Sequence, residues 1–134
     1  MVIEEQPTKV IQSNGTVIWY LASKGPSYFH REDGPALIYP DGTEYWFFNG
    51  RIHREGGPAI INLNHKRRHW FKDGRRHRVD GPAIEYDNDP RENFWCLETK
   101  EDSLPAKEVE AWIKEEQIDL STVEGQMAFV LRWG

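Results

Sequence analysis

Cysteine is almost missing from this chain of 134 residues: Cys96 is the only one, and methionine occurs twice. A single thiol excludes an internal disulfide and fits a reducing cytoplasm. No run of about eighteen apolar residues occurs and no charged-then-apolar leader opens the sequence, so neither a membrane span nor a secretory signal is expected. Phosphate-binding signatures are missing as well. Neither G-x-x-x-x-G-K-[ST] nor a strand-borne G-x-G-x-x-G is present, and no cofactor is expected. A mean hydropathy of −0.75, with 38% apolar and 29% charged residues, points to a thin core. Six tryptophans, six phenylalanines and five tyrosines supply most of its large apolar surface. The length suits one domain with a small appendage.

What the chain does have is a repeat. His30-Arg31-Glu32-Asp33-Gly34-Pro35-Ala36 returns as His53-Arg54-Glu55-Gly56-Gly57-Pro58-Ala59 and as His77-Arg78-Val79-Asp80-Gly81-Pro82-Ala83, at steps of 53 − 30 = 23 and 77 − 53 = 24 residues. Such a period marks stacked units, none of which buries its apolar face alone. In the first full unit the segment ending Leu37-Ile38-Tyr39 turns at Asp41-Gly42, returns as Thr43 to Phe48, and turns again at Asn49-Gly50. Both segments are too short for helices and rich in β-branched or aromatic residues, so each reads as a strand. Two strands and two turns per period predict an antiparallel meander. Trp19, Trp46, Trp70 and Trp95 recur at steps of 27, 24 and 25 residues and predict a side-chain ladder on one face. By alternation, Tyr45, Phe47, His69 and Phe71 point to the other face.

The ends differ from the middle. Met1 to Thr8 carries no pattern and reads as a loose lead-in, with residues 1–9 as the lead-in segment. Asn14-Gly15 between apolar runs predicts a hairpin with both turn residues at positive φ. Four extra residues around Ala22 to Tyr28, with Gly25-Pro26, predict a loop before the first full motif. The β-repeat domain covers 10–102. Beyond it, Leu104, Val109, Trp112 and Ile113 make one helical face, with Ser103 as N-cap. Ser121-Thr122-Val123-Glu124 reads as a capping box for a second helix, whose packed side is Val123, Met127, Val130 and Leu131. Residues 103–134 thus form a helical cap on the stack.

With Asn49-Gly50-x-x-His53 and Asp73-Gly74-x-x-His77 leading into Gly-Pro-Ala strands, the chain resembles the MORN class of hairpin repeats. The likeness is to the variant with His-Arg-x-x-Gly-Pro-Ala found in proteins of bacteriophages and large viruses, and it covers roughly residues 10–97. Arg31, Arg54 and Arg78 stand where the ordinary pattern has a glycine after the histidine, so membrane-lipid binding is not carried over. The resemblance implies a curved single-layer β-sheet that binds a partner, commonly a protein. In a phage-like setting it implies an inhibitor of a host defence or regulatory protein, acting in the host cytoplasm.

Among the repeat residues, His30, His53 and His77 suggest a metal at first sight. Equivalent residues two strands apart lie about 10 Å from each other at the ~4.8 Å strand spacing, and a metal ligated at ~2.1 Å cannot reach two of them. His30, Arg31, His53, Arg54, His77 and Arg78 are instead expected to close turns through backbone or the following acid, Asp33 or Asp80, with Gly56 replacing that acid in the middle unit. Gly34, Gly57 and Gly81 are expected at a bulge or a positive φ.

The net charge of −5 hides a separation. Residues 65–78 hold seven basic side chains against Asp73, whereas residues 98–119 hold eight acids against three lysines. The basic hairpin, interleaved with Trp70 and Phe71, is the best functional candidate. Tyr45, Phe47, Arg67, His69, Phe71, Arg75 and Arg76 are the expected contacts to a protein partner, since aromatic and arginine side chains dominate such interfaces. Single-stranded nucleic acid stacked on the same hairpin is the alternative. Blander readings are charged edges that block aggregation, or ion pairing with the acidic segment. Ser103, Ser121 and Cys96 lack a base beside them, and Glu85 and Glu92 a patterned partner, so a non-enzymatic protein is expected. A groove lined by repeat His, Arg and Asp is the remaining enzymatic option, and self-association through sheet edges is open.

Overall fold

A computed structural model describes residues 4–100 and 103–134. In chain order the strands are β1 (Thr8–Ile11), β2 (Val17–Tyr20), β3 (Leu37–Ile38), β4 (Glu44–Tyr45), β5 (Phe47–Phe48), β6 (Arg51–Ile52), β7 (Ile60–Asn62), β8 (Arg67–His69), β9 (Phe71–Lys72), β10 (Arg75–Arg76) and β11 (Ile84–Tyr86). A 3-10 turn at Pro90–Glu92 and helices α1 (Ala106–Glu115) and α2 (Val123–Trp133) follow. The fold is mainly β: an antiparallel sheet of seven strands in the order β1-β2-β3-β4-β7-β8-β11, with two helices at the C-terminal end. The meander read from the period is therefore present.

The ribbons β5-β6 and β9-β10 branch from it because each long strand changes partner at its tryptophan. The Trp46 and Trp70 amides donate to the Ala59 and Ala83 carbonyls, both at 2.7 Å, while their own carbonyls accept from His53 and His77 at 3.0 and 3.1 Å. Trp19 does the same between Ala36 and His30. Ala36, Ala59 and Ala83 are fully buried. A larger side chain there would separate neighbouring units.

The turns divide into two kinds. Asn49-Gly50 and Asp73-Gly74 hold both residues at positive φ, from 48° to 82°, the backbone that matches the strand twist in a two-residue hairpin. At Asn14-Gly15 only the glycine is left-handed, with φ 90°, and the Asn14 side chain accepts from the Thr16 amide at 3.0 Å. That expectation is corrected: the Gly15 amide donates to Gln12, which makes a four-residue turn closed by a left-handed glycine.

Three expectations for the termini are also corrected. Glu5 is anchored to Ser23 and β1 begins at Thr8, so the lead-in is tied down from residue 5; Met1 to Ile3 lie outside the described residues. Pro105, not Ser103, is the N-cap of α1, and no side chain caps that end. Thr122 caps α2, its Oγ1 accepting from the Gly125 amide at 3.0 Å; Gly125 falls where a capping box needs Glu, so no box forms.

The packed side of α2 is the opposite of the predicted one. Val123, Met127 and Leu131 are exposed and Val130 largely so, while Gly125 and Phe129 are buried. Glycine is required at 125, since a Cβ would lie 1.8 Å from the Asp119 carbonyl oxygen. With that close approach fixed, the next residues on the same side are Phe129 and Trp133, at i+4 and i+8. Phe129 joins Trp95, Leu97, Leu104 and Val109 in the core, flanked by Trp112 and Ile113, which lies between the last strand segment and the helices.

Candidate functional site

The repeat motif forms a bonded unit. Arg31, Arg54 and Arg78 lay their guanidinium groups over the rings of Trp19, Trp46 and Trp70 at 4.4, 3.8 and 3.9 Å. Each also donates from Nη1 to the carbonyl of the repeat proline, Pro35, Pro58 or Pro82, at 3.1 Å. Arg31 and Arg78 add a bond to Asp33 and Asp80 at 3.1 and 2.6 Å. Gly34, Gly57 and Gly81 are not at positive φ. Their role is space: a Cβ would stand 2.6, 2.9 and 2.8 Å from the guanidinium carbon, which replaces the expected bulge or positive φ. Gly56, in the place of Asp33 and Asp80, does take φ 74°.

The histidines reach across units. His30, His53 and His77 accept at Nδ1 from the amides of Asn49, Asp73 and Glu98 at 2.9, 3.0 and 3.0 Å. An Nδ1 that accepts carries no proton, so each ring is the neutral Nε2–H form. Burial holds the His77 pKa below its ordinary 6.5, outweighing the nearby Glu98 carboxylate. Each histidine thus holds turn backbone, as expected, but the turn belongs to the following unit, so the bond staples one unit to the next; His53 also lies 3.0 Å from Glu55, an acid of its own motif.

Both ends of the ladder substitute other chemistry. Ala22 sits three residues past Trp19, as Asn49 sits past Trp46. No motif precedes it, and the Glu5 carboxylate takes the Ser23 amide at 2.9 Å and the Ser23 hydroxyl. At the other end no arginine follows to cover Trp95. Phe129 of α2 packs edge-on against it at 5.6 Å, its Nε1 donates to Glu110 at 3.3 Å, and its carbonyl accepts from the Leu104 amide at 2.7 Å.

The opposite face carries an open groove of about 1050 Å³. Arg67, His69, Phe71, Arg75 and Arg76 all line it. Tyr45 and Phe47 belong to the same face: Tyr45 pairs with Ile60, Ile60 with His69 and His69 with Ile84, a single row across four strands. Tyr45 stacks on Phe47 at 6.4 Å and His69 on Phe71 at 6.3 Å, with interplanar angles of 21° and 22°. Tyr86, Phe94, Cys96, Glu98 and Lys100 complete the wall and went unread in the sequence. Tyr86 had a signal, its alternation with Ile84 in β11, and Glu98 had the charge of the acidic segment opposite the basic hairpin; Cys96 had none, because only folding brings it to this groove.

Electrostatics separate the groove from the staples. Among the described residues Arg67, Arg75 and Arg76 make no ion pair, while Glu98 is joined to Lys72 at 3.1 Å. The basic hairpin and the acidic segment therefore meet at that contact, and Arg75 reaches only the Glu98 carbonyl, at 3.5 Å. Burial, with Arg67 and Arg76 close by, pushes the His69 pKa down to about 4. Its Nδ1 and the Arg67 Nε are buried without a partner among the described residues. Burial pushes the Cys96 thiol up, which leaves it protonated and a poor nucleophile.

No described helix is long and apolar enough to cross a membrane. Comparison with models of known families, with curated proteins and with solved structures gives no match for this chain.

Proposed function

We propose that this chain is a non-enzymatic, MORN-like repeat protein that binds a partner protein through the face bearing Tyr45, Phe47, His69 and Phe71 and the arginines of the groove. One observation carries the reading. The repeat His, Arg and Gly residues are consumed in holding units together, whereas the groove gathers aromatic side chains with Arg67, Arg75 and Arg76, which make no ion pair among the described residues. Aromatic and arginine side chains clustered in one place are the usual anchors of protein interfaces. The likeness of the motif to phage and large-virus repeats makes an inhibitor of a host protein, working in the host cytoplasm, the most economical biological setting.

The test is a photo-crosslinker placed at Phe71, at Tyr45, or at Lys9 in the distant β1 as control, in extract from the native host. One protein captured from both face positions and not from position 9 supports the reading; equal capture from all three sinks it. Nucleic acid remains the competing ligand because three arginines flank Phe71. It predicts affinity that falls log-linearly and steeply with salt, where an aromatic protein interface responds weakly.

A further inference from the structure

Resting on the reading of this face as a protein-binding surface, we propose that the groove is built for a carboxylate-bearing extended segment of its partner. Acidic side chains would lie between Arg67 and Arg76, and apolar ones on Phe71 and Tyr86. Charge complementarity is the first argument. Arg67, Arg75, Arg76 and Lys100 surround the groove, and its one described acid, Glu98, is already neutralised by Lys72. The cavity therefore offers four cations and no free carboxylate from the described residues.

Its width is the second argument. Among the described residues the lining runs from β8 through β10 and β11 to Phe94, Cys96, Glu98, Thr99, Lys100 and Ser103, the span of one repeat. A nucleic-acid strand needs a positive track along several nucleotides, and beyond this hairpin the same face continues as Tyr45, Ile60 and Leu37, which carry no charge. An alternation of acidic and apolar side chains matches that mixed lining better than a uniform polyanion does.

The third argument is an internal reporter. His69 sits between the cations, and the titratable or charged groups facing it across the groove are Arg67 on its own strand, Arg75 and Arg76 on β10, Tyr86 on β11, and Cys96, Glu98 and Lys100 beyond the 3-10 turn. These surroundings hold the ring neutral at pH 7. An anion seated beside it removes part of the repulsion that disfavours the imidazolium, so occupancy by a carboxylate raises the His69 pKa. An apolar occupant lowers it further by excluding water.

The experiment uses the full chain with three probes: an eight-residue peptide alternating Asp and Leu, its Asn and Leu counterpart, and an oligothymidylate of eight nucleotides. Binding at 150 mM salt and the His69 ring signals by NMR are read together. The inference expects the Asp peptide to bind at least about tenfold more tightly than the Asn peptide. It also expects an upward shift of the His69 pKa, and loss of the preference in Arg75→Gln/Arg76→Gln, both exposed positions whose change spares the fold. Equal affinity for the two peptides overturns the carboxylate subsite while leaving a protein-binding face intact. Tighter binding of the oligothymidylate overturns both readings. No binding of the Asp peptide at about 1 mM, a level that detects even a 4 kcal/mol interaction, also overturns the subsite.

Discussion

Arg54 shows how one side chain ties a unit together. It stacks on Trp46, bonds the Pro58 carbonyl, and fills the space over Gly57 that a Cβ would need. A desolvated guanidinium on a tryptophan face contributes about 1–2 kcal/mol, and the carbonyl bond adds about 1 kcal/mol. Gly57→Ala should cost about 1–3 kcal/mol in urea unfolding, because the guanidinium must move. In an Arg54→Ala background the same change should cost less by about 1 kcal/mol, a coupling that a double-mutant cycle measures directly. Additive costs would mean that Gly57 serves backbone conformation after all.

Histidine sets the pH response at the same scale. Burial depresses the His77 pKa below 6.5, and burial plus Arg67 and Arg76 depresses that of His69 to about 4. Between those values the unfolded chain binds more protons than the folded one, so stability must fall as pH falls. The contribution of both rings is complete above about pH 6.5 and is lost progressively toward pH 4. Urea unfolding at pH 7, 6, 5 and 4 checks this, and His69→Gln should flatten the lower part of the curve. These arginine and histidine roles were only half legible in the sequence. The period marked the residues as scaffold positions, but the amide that donates to each histidine lies 19 to 21 residues away, in the next unit. Spacing within one motif cannot show that.

The helices of the cap carry the next argument. Phe129 does for Trp95 what the repeat arginines do for the other tryptophans, and it is fully buried in the core. Phe129→Ala should cost about 3–5 kcal/mol, with the loss concentrated at residues 95–97 and α2 in amide exchange. Met127→Ala, on the exposed side of the same helix, should cost under about 0.5 kcal/mol. The strands were legible because β-branched and aromatic runs alternate between turn pairs, and α1 because Val109, Trp112 and Ile113 share one helical side. The side of α2 was not. Val123, Met127, Val130 and Leu131 make the more apolar stripe, yet the contact between Gly125 and the Asp119 carbonyl sets the rotation. Hydropathy contains no trace of such a backbone approach.

At the scale of the whole molecule, a two-strand unit is copied and stapled to its neighbours, and the face opposite the Arg–Trp stacks carries the groove proposed to bind a partner. Glu5 ties the segment before β1 to Ser23, so Glu5→Ala should speed amide exchange at Ser23 without disturbing the later units. The row from Tyr45 to His69 followed from strand alternation, whereas the groove did not, since its far wall comes from Phe94, Cys96, Glu98 and the residues after them up to Lys100, with Ser103.

The proposed division of labour between the stapling histidines and His69 in the groove is open to one spectrum. Ring nitrogen NMR at pH 7, with and without the Asp and Leu peptide, should give His30, His53 and His77 as neutral Nε2–H rings that do not respond, while the His69 signals move. Repeat histidines that protonate freely or shift with the peptide, beside a silent His69, would contradict it.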